Sequence, residues 1–410
     1  MTLSMEPPLV SIMMPVFNSM SYARSNGYRL LPQALDSLLA QTHSNLELII
    51  LDNQSTDETS TICNDYAQKD PRIRFVRDSA PHNPHEASSK LATMAQGKYC
   101  VYAGDDDLWH PEYITRMVEF LELHENVTMA YSNACWVDVE GKIEPQPMVT
   151  PDAAYTQDFS SLFNFCSYAY HANVIPPIFG VYRTRRLNEL LPFETFDETI
   201  ANVDNLFLLK FFLKDKCHFL DEILFFYRKK HRYADPKGIH GLPGNETPLL
   251  IWIYYVRHQL YFSNKIHALV DQSDMADREK DFTRCVLQDS FLLRCFNLLM
   301  WVKQDYIDKD PKLLKPYLKL IAFLGASERA QLLQASSLQE KVLQMRNGGS
   351  AFLLESDMLQ MSRRLGYFLE LVDFAATLSP NETYIPLVTE VRDLLKKESV
   401  KISQSQRMPA

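Results

Sequence analysis

The chain has no surplus of positive charge, no long hydrophobic run and no closely spaced cysteines, and each absence removes a class of function. Lysine and arginine number 42 against 51 aspartates and glutamates, a formal net charge of −9. A nucleic-acid partner would favour a basic surface, so none is expected. The longest apolar run near the middle, Leu249 to Val256, is too short to span a bilayer. Met1 to Val10 shows no basic region leading into an apolar core, so no signal peptide is expected and the cytoplasm is the expected location. The seven cysteines are scattered, several inside apolar runs, and none forms a close metal-ligand pair. They read as reduced, buried thiols. No internal repeat is visible. Nucleotidyl transfer to a sugar phosphate would need a glycine-rich basic loop after the first strand, and residues 15–27 offer only Gly27 and Arg24. What remains is ordinary globular composition, 46% hydrophobic and 23% charged, in 410 residues, enough for two or three domains.

The most informative stretch is Cys100-Val101-Tyr102-Ala103-Gly104-Asp105-Asp106-Asp107-Leu108-Trp109-His110-Pro111. Tyr99 to Ala103 reads as a short buried strand. It runs into three consecutive carboxylates, and Pro111 then suits the first position of a helix. Adjacent aspartates repel one another unless a cation or solvent compensates. Hard divalent ions take oxygen ligands of this kind, usually one or two carboxylates together with substrate phosphates. In open α/β sheets, ligands sit outside the carboxyl ends of the strands. A metal and phosphate site follows; a solvated acidic turn is the plain alternative.

Taken in order, Leu9 to Val16 reads as a strand and residues 19–29 as a polar loop. Leu31, Ala34, Leu35, Leu38 and Leu39 recur at helical spacing. Leu46 to Leu51 is a second strand ending on Asp52-Asn53, and Ser55-Thr56-Asp57-Glu58 has the form of a capping box. Arg72 to Arg77 is a third strand, and Ala87 to Ala95 a helix. After Pro111 a helix runs to about Glu125, Val127–Tyr131 and Cys135–Val139 read as strands, and Glu140-Gly141-Lys142 as a turn. Phe159 to Tyr170 reads as an aromatic helix, Asp204 opens the apolar helix Leu206–Leu213, and Cys217–Leu220 and Ile223–Arg228 read as two strand pieces. Strand alternating with helix at this spacing gives an α/β fold with a mostly parallel sheet. Beyond about residue 245 the period is helical, with stripes such as Leu387, Val388, Val391, Leu394 and Leu395, so the fold class is α/β with a mostly parallel sheet, followed by an all-α C-terminal domain.

These pieces resemble, in order, the family 2 inverting glycosyltransferases with their A-type nucleotide-binding fold. Val10 to Asn18 resembles the family's first strand and its Pro-Val-Tyr-Asn ending; Ala34 to Thr42 is similar to its first helix. Asp52-Asn53-Gln54-Ser55-Thr56-Asp57 resembles the nucleoside motif, Asp70 to Phe75 the segment before the third strand, and Asp105-Asp106-Asp107 with Trp109 and Pro111 the DxD metal motif. The resemblance covers about the first 230 residues. It implies a sugar moved from a nucleotide-sugar, expected to be UDP-linked, to a hydroxyl or amine of a saccharide, lipid-linked or small-molecule acceptor, with Mn²⁺ or Mg²⁺ as cofactor.

Carried over residue by residue, Pro15, Phe17 and Asn18 would line the donor, Asp52 would accept a hydrogen bond from its base, and Asp105 and Asp106 would face ribose and diphosphate. Asp107, or Asp106, would bind the metal. Asp204 would be the general base, with Asp197 and Glu198 as rivals. Arg228 and His231, in Tyr227-Arg228-Lys229-Lys230-His231, would close over the diphosphate. The family often has Gly and then Ala-Arg-Asn before the fourth strand; here Pro84 to Lys90 stands instead, which moves the basic contact, for example to Lys90. The plain readings are a turn cap for Asp52, a helix-start acid for Asp204, a solvated basic edge for Arg228 to Arg232, and core for Trp109. The expected division is 1–135 as the nucleotide-sugar and metal half, 136–240 as the acceptor half of the same catalytic domain, 245–400 as the helical domain, and 401–410 as a disordered tail. The helical domain could serve an oligomer or a peripheral contact at the inner membrane face. A non-catalytic nucleotide- or sugar-binding scaffold is the rival reading.

Overall fold

The computed structural model describes residues 6–24, 29–149, 155, 161–171, 176–194, 203–228, 248–306, 319–320, 322, 337–345, 353–378 and 384–405. Two compact units emerge: 1–164 with 172–195 and 203–233, and 234–410 with 165–171 and 196–202.

The first unit is built on a mixed sheet. Its parallel half comprises β1 (Val10–Val16), β2 (Leu46–Asp52), β3 (Ile73–Arg77) and β4 (Tyr99–Tyr102), in the order β3-β2-β1-β4. The sheet continues from β4 through β8 (Val181–Arg183), β6 (Met129–Val137) and β9 (Cys217–Arg228) to β5 (Leu108–Trp109), with β7 (Ile143–Glu144) paired to β6. β8 runs antiparallel to both β4 and β6, while β6 and β9 are parallel. The chain leaves β1 to one side through β2 and β3 and returns on the other side as β4. The carboxyl ends of β1 and β4 therefore form the topological switch point, where open α/β sheets bind ligands.

Helices of this unit cover the sheet: α1 (Ser19–Arg24), α2 (Leu30–Leu39), α3 (Thr59–Lys69), α4 (Pro84–Met94), α5 (Tyr113–Leu123), α7 (Thr184–Leu190) and α8 (Val203–Lys214), while most of α6 (Ser161–His171) falls to the second unit. Alternate residues of β1 and β2, such as Ile12, Met14, Leu48 and Ile50, pack with Leu31, Leu35 and Leu38 of α2 and Met117 and Leu121 of α5 in one core. Trp109 belongs to this core. It stands edge-on to Tyr113 at 4.8 Å and packs on Phe225 at 4.6 Å between ring centroids. It is buried, 3% exposed.

Several elements differ from the sequence reading. The two strands read over Val127–Val139 form one, β6, because Ser132 and Asn133 are buried inside it. The two pieces over Cys217–Arg228 are likewise one strand, whose register shifts opposite Asn133, where Asn133 Nδ2 donates to Asp221. Residues 19–24 are helical rather than loop. Amides of that short helix find acceptors beyond β2, Met20 N–H on Thr59 Oγ1 at the start of α3 and Ser21 N–H on Asp57 in the loop before it. The capping box expected at Ser55–Glu58 does not form, and α3 begins at Thr59. A capping box forms instead at Asn83 and Glu86, with Pro84 in the first turn, so α4 starts three residues before the expected Ala87.

The second unit contains α9 (Pro248–Asp271), α10 (Asp277–Tyr306), α11 (Ser337–Met345), α12 (Glu355–Leu378) and α13 (Tyr384–Ser405). Trp252, fully buried, donates from its indole to Cys295 O at 2.9 Å and stands edge-on to Phe368. Arg364 and Asp289 form an ion pair buried among the apolar stripes. α13 continues through Ser405, five residues into the stretch expected to be a disordered tail; Lys401 to Ser405 holds no Pro or Gly to stop a helix. Among the described residues no helix is long and apolar enough to cross a membrane.

Candidate active site

Parallel pairing brings the ends of β1, β2 and β3 into line: Val16 lies opposite Asp52, and Asp52 opposite Arg77. Asn53 N–H donates to Val16 O and Asp78 N–H to Asp52 O, extending the sheet one residue past each strand. At the end of β1, Phe17 is 57% exposed. Asn18 adopts φ of 49°, a left-handed conformation that asparagine tolerates better than most residues. Its amide donates to Ser55 Oγ and its side-chain oxygen accepts from Thr56 N–H, so Asn18 ties the loop after β1 to the loop after β2. Pro15 lies within β1, opposite Leu51.

Asp52 has no exposed surface. Oδ1 accepts from Ser55 N–H at 2.9 Å, and Oδ2 accepts from Ser60 Oγ–H and from Arg77 Nη1 at 3.0 Å. Next to it, buried Asp78 accepts from Lys90 Nζ at 2.7 Å, with His82 Nε2 at 3.3 Å from its other oxygen. The Lys90 ammonium holds the Asp78 carboxyl below its usual range against the opposing effect of burial. Lys90, the expected basic contact to the nucleotide, is thus already paired with an acid.

The acidic loop follows β4. Asp105 accepts from Ser19 Oγ–H, across the switch point. Asp106 and Asp107 are buried, and Asp107 Oδ1 accepts from Arg228 N–H at 2.8 Å. A Cβ at Gly104 would lie 2.5 Å from Asp107 Oδ2, so any larger residue there would push that carboxylate out of its place. Arg228, 1% exposed at the end of β9, holds the loop in place. Its Nε donates to Asp106 O at 2.8 Å, Nη1 to Asp138 O at 2.5 Å and Nη2 to Gln33 Oε1 at 3.0 Å. Burial lowers its pKa, while Asp106, Asp107 and Asp138 pull it up; guanidinium remains charged at neutral pH regardless. The sequence reading placed Arg228 in a loop closing over the diphosphate. In the structure it is a strand residue whose nitrogens are bonded inside the protein.

Replacing Arg228 with methionine removes those donors and leaves their acceptors in a dry setting. Hydrogen bonds to a charged group are worth roughly 1.5–3 kcal/mol each, so a loss of about 3 kcal/mol or more is expected. Urea denaturation should show a lower midpoint at unchanged slope. An unchanged midpoint would mean that the loop stands without this residue.

Asp204 opens α8, exposed, and accepts its neighbour Asn205's N–H at 2.8 Å. One turn on, Phe207 packs on Phe193 at 4.9 Å, and Phe193 on Tyr102 of β4 at 5.8 Å. This aromatic chain ties the start of α8 to the strand that carries the acidic loop. His231, Asp197 and Glu198 lie outside the described residues. Sequence reasoning missed Arg77, Ser19 and Gln33. The signal for Arg77 was present, a cation closing one strand beside an acid closing the next. Ser19 and Gln33 carried none, since each meets its partner only in the folded sheet.

The acids are the right donors for a hard divalent cation. Among the described residues no group of three or more His, Cys, Asp or Glu converges as a complete cage. The arrangement fits a cation held by one or two carboxylates of the Asp105–Asp107 loop and completed by substrate phosphates.

Residues 11–229 match the family model described as glycosyl transferase family 2, and the chain belongs to that family. An uncharacterized glycosyltransferase of Haemophilus influenzae is 31% identical over 137 residues, 33% of this chain and 51% of that protein. A putative teichuronic acid biosynthesis glycosyltransferase, TuaG of Bacillus subtilis, is 32% identical over 114 residues, 28% of this chain and 42% of that protein. The chain thus spans about half the length of these relatives or less. Of solved structures, S. aureus TarS residues 1–349 in complex with UDP-GlcNAc is similar with a TM-score of 0.52 at 18% identity, covering 88% of this chain and 92% of that one. The shared architecture is the A-type glycosyltransferase fold.

Proposed function

We propose that the protein transfers a sugar from a UDP-linked donor to an acceptor hydroxyl or amine, with a divalent cation and with inversion at the anomeric carbon. The observation that carries this reading is the pair of acid-bearing strand ends, β2 with Asp52 and β4 with Asp105–Asp107, on either side of β1. The fold shared with TarS, solved with UDP and with UDP-GlcNAc, supports a uridine donor. Pro15, exposed Phe17 and Asn18 form the ledge between the two acids on which the nucleoside would rest. Asp107, with Asp106, would hold Mn²⁺ or Mg²⁺, which when bound neutralises charge on the leaving diphosphate. Asp204 would take the acceptor's proton as its oxygen or nitrogen attacks the anomeric carbon from the face opposite the diphosphate. Such a displacement inverts configuration in one step, with no covalent intermediate. Saccharides, lipid-linked saccharides and small molecules all offer suitable acceptors.

The test is nucleotide release from a panel of UDP-, GDP- and dTDP-sugars by the full chain, with Mn²⁺, with Mg²⁺ and with EDTA. Cation-dependent release of UDP supports the reading. Binding of nucleotide-sugars without any turnover, with or without acceptors, would leave the scaffold reading instead.

A further inference from the structure

We infer that the acceptor is a saccharide and that one of its rings rests on Trp136, with the reacting hydroxyl turned toward the Asp105–Asp107 loop. The inference rests on the proposed sugar transfer and narrows its acceptor class. β8 runs antiparallel to both β4 and β6, so β6, and β9 parallel to it, end on the same edge of the sheet as the acidic loop. Near that edge, register sets four residues in a row across the strands. Glu144 of β7 lies opposite Trp136 of β6, and Trp136 opposite Tyr227 of β9. On the far side of β9, β5 pairs Leu108 with Phe226, which brings Asp107 beside Tyr227, and Asp107 Oδ1 accepts from Arg228 N–H. Neighbouring strands lie about 4.8 Å apart, so Trp136 stands roughly 10 Å from the acidic loop, a distance that a short saccharide spans.

Trp136 is the outermost ring of an aromatic series that starts in the core. Trp109 packs on Phe225, Phe225 on Phe179 at 4.9 Å, Phe179 on Tyr227 at 6.2 Å, and Tyr227 on Trp136 at 5.4 Å between ring centroids. Trp109 and Phe225 are buried, whereas Tyr227 and Trp136 each keep part of their surface in solvent and Glu144 is exposed. The inner rings therefore hold the outer pair in a fixed orientation, 64° between planes. The indole N–H of Trp136 finds no acceptor among the described residues. An indole presents a flat apolar face and a single donor. A pyranose presents the matching pair, a face of C–H groups and a rim of hydroxyls that both donate and accept. The Glu144 carboxylate, an acceptor only when ionised, suits the donors of that rim. An alkyl chain would cover the ring and offer the indole N–H nothing to bond, and a linear polyol has hydroxyls without a flat apolar face.

Tryptophan fluorescence and UDP release by the full chain test this. The probes are the methyl glycosides of glucose, galactose and N-acetylglucosamine and their disaccharides, set against glycerol, sorbitol and octanol. At least one pyranoside should change wild-type fluorescence saturably and raise UDP release above its donor-only rate, while the polyols and octanol do neither. Trp136→Phe should lose the fluorescence response and keep most of the acceptor affinity. Trp136→Ala should raise the acceptor KM roughly fivefold to tenfold, with kcat and UDP affinity unchanged, as for a contact made equally in ground and transition states. Glu144→Ala, on an exposed strand end, should shift the acceptor KM in the same direction. An unchanged acceptor KM in folded Trp136→Ala, a polyol or octanol accepted in preference to every pyranoside, or no response to any pyranoside would overturn the inference, while donor-only turnover would leave the proposed chemistry standing. Saturable pyranoside binding without any UDP release would uphold Trp136 as a sugar site and overturn the proposed transfer.

Discussion

Asp107→Asn is expected to abolish nearly all sugar transfer while leaving the protein folded. The side chain is 2% exposed and its Oδ1 accepts from Arg228 N–H. Asparagine keeps that acceptor and the shape, so the bond to β9 survives. Its amide nitrogen then points a donor where a cation would need an acceptor. A bound cation is worth several kcal/mol of charge stabilisation on a leaving diphosphate, and each 1.36 kcal/mol is tenfold in rate. A loss of about 10²–10⁴-fold in turnover follows. UDP binding should lose its response to Mn²⁺, so that calorimetry with Mn²⁺ and with EDTA gives the same affinity in the mutant and different ones in wild type. Equal affinities in wild type would remove the metal from the account.

Asp204→Asn should separate chemistry from binding. The carboxylate stands in the first turn of α8. The substitution leaves a side-chain oxygen able to accept from Asn205 N–H and deletes only the capacity to take a proton. A general base contributes roughly 10²–10⁴-fold, so kcat should fall by about that factor with UDP affinity unchanged, as for an interaction made only in the transition state. The matched variants Asp197→Asn and Glu198→Gln serve as controls. If either of them loses turnover while Asp204→Asn keeps it, the base lies in the preceding loop.

The architecture was legible in the sequence because hydrophobic period and strand-end chemistry report it directly. Strands over Val10–Val16, Leu46–Asp52 and Tyr99–Tyr102 are apolar runs closed by polar residues, and their acids fall where the alternation of strand and helix says they must. Partners were not legible. That Asp52 is sealed depends on Arg77, 25 residues away and brought opposite by parallel register. That Lys90 is spent on Asp78, and Arg228 on Asp106 O, Asp138 O and Gln33, depends on side chains meeting across elements. Motif resemblance names which residues carry charge; it does not say which of them the fold has already neutralised. The misplaced capping box has the same origin. Ser55-Thr56-Asp57-Glu58 carries the right letters, but Ser55 and Asp57 are recruited by Asn18 and Ser21 from the neighbouring loop, and tertiary demand overrides the local signal.

The frame of the acidic loop also has a schedule. Arg228 gathers Gln33, Asp106 and Asp138 across separations of 195, 122 and 90 residues. Closing loops of that length costs entropy that only the finished contacts repay, and such contacts form late in folding. On a ribosome, β1 to β4 emerge well before β9 does. A chain interrupted before position 228 would carry every acid of the loop and lack the cation that holds them in place, so the geometry of the loop is set only when synthesis has passed the end of β9.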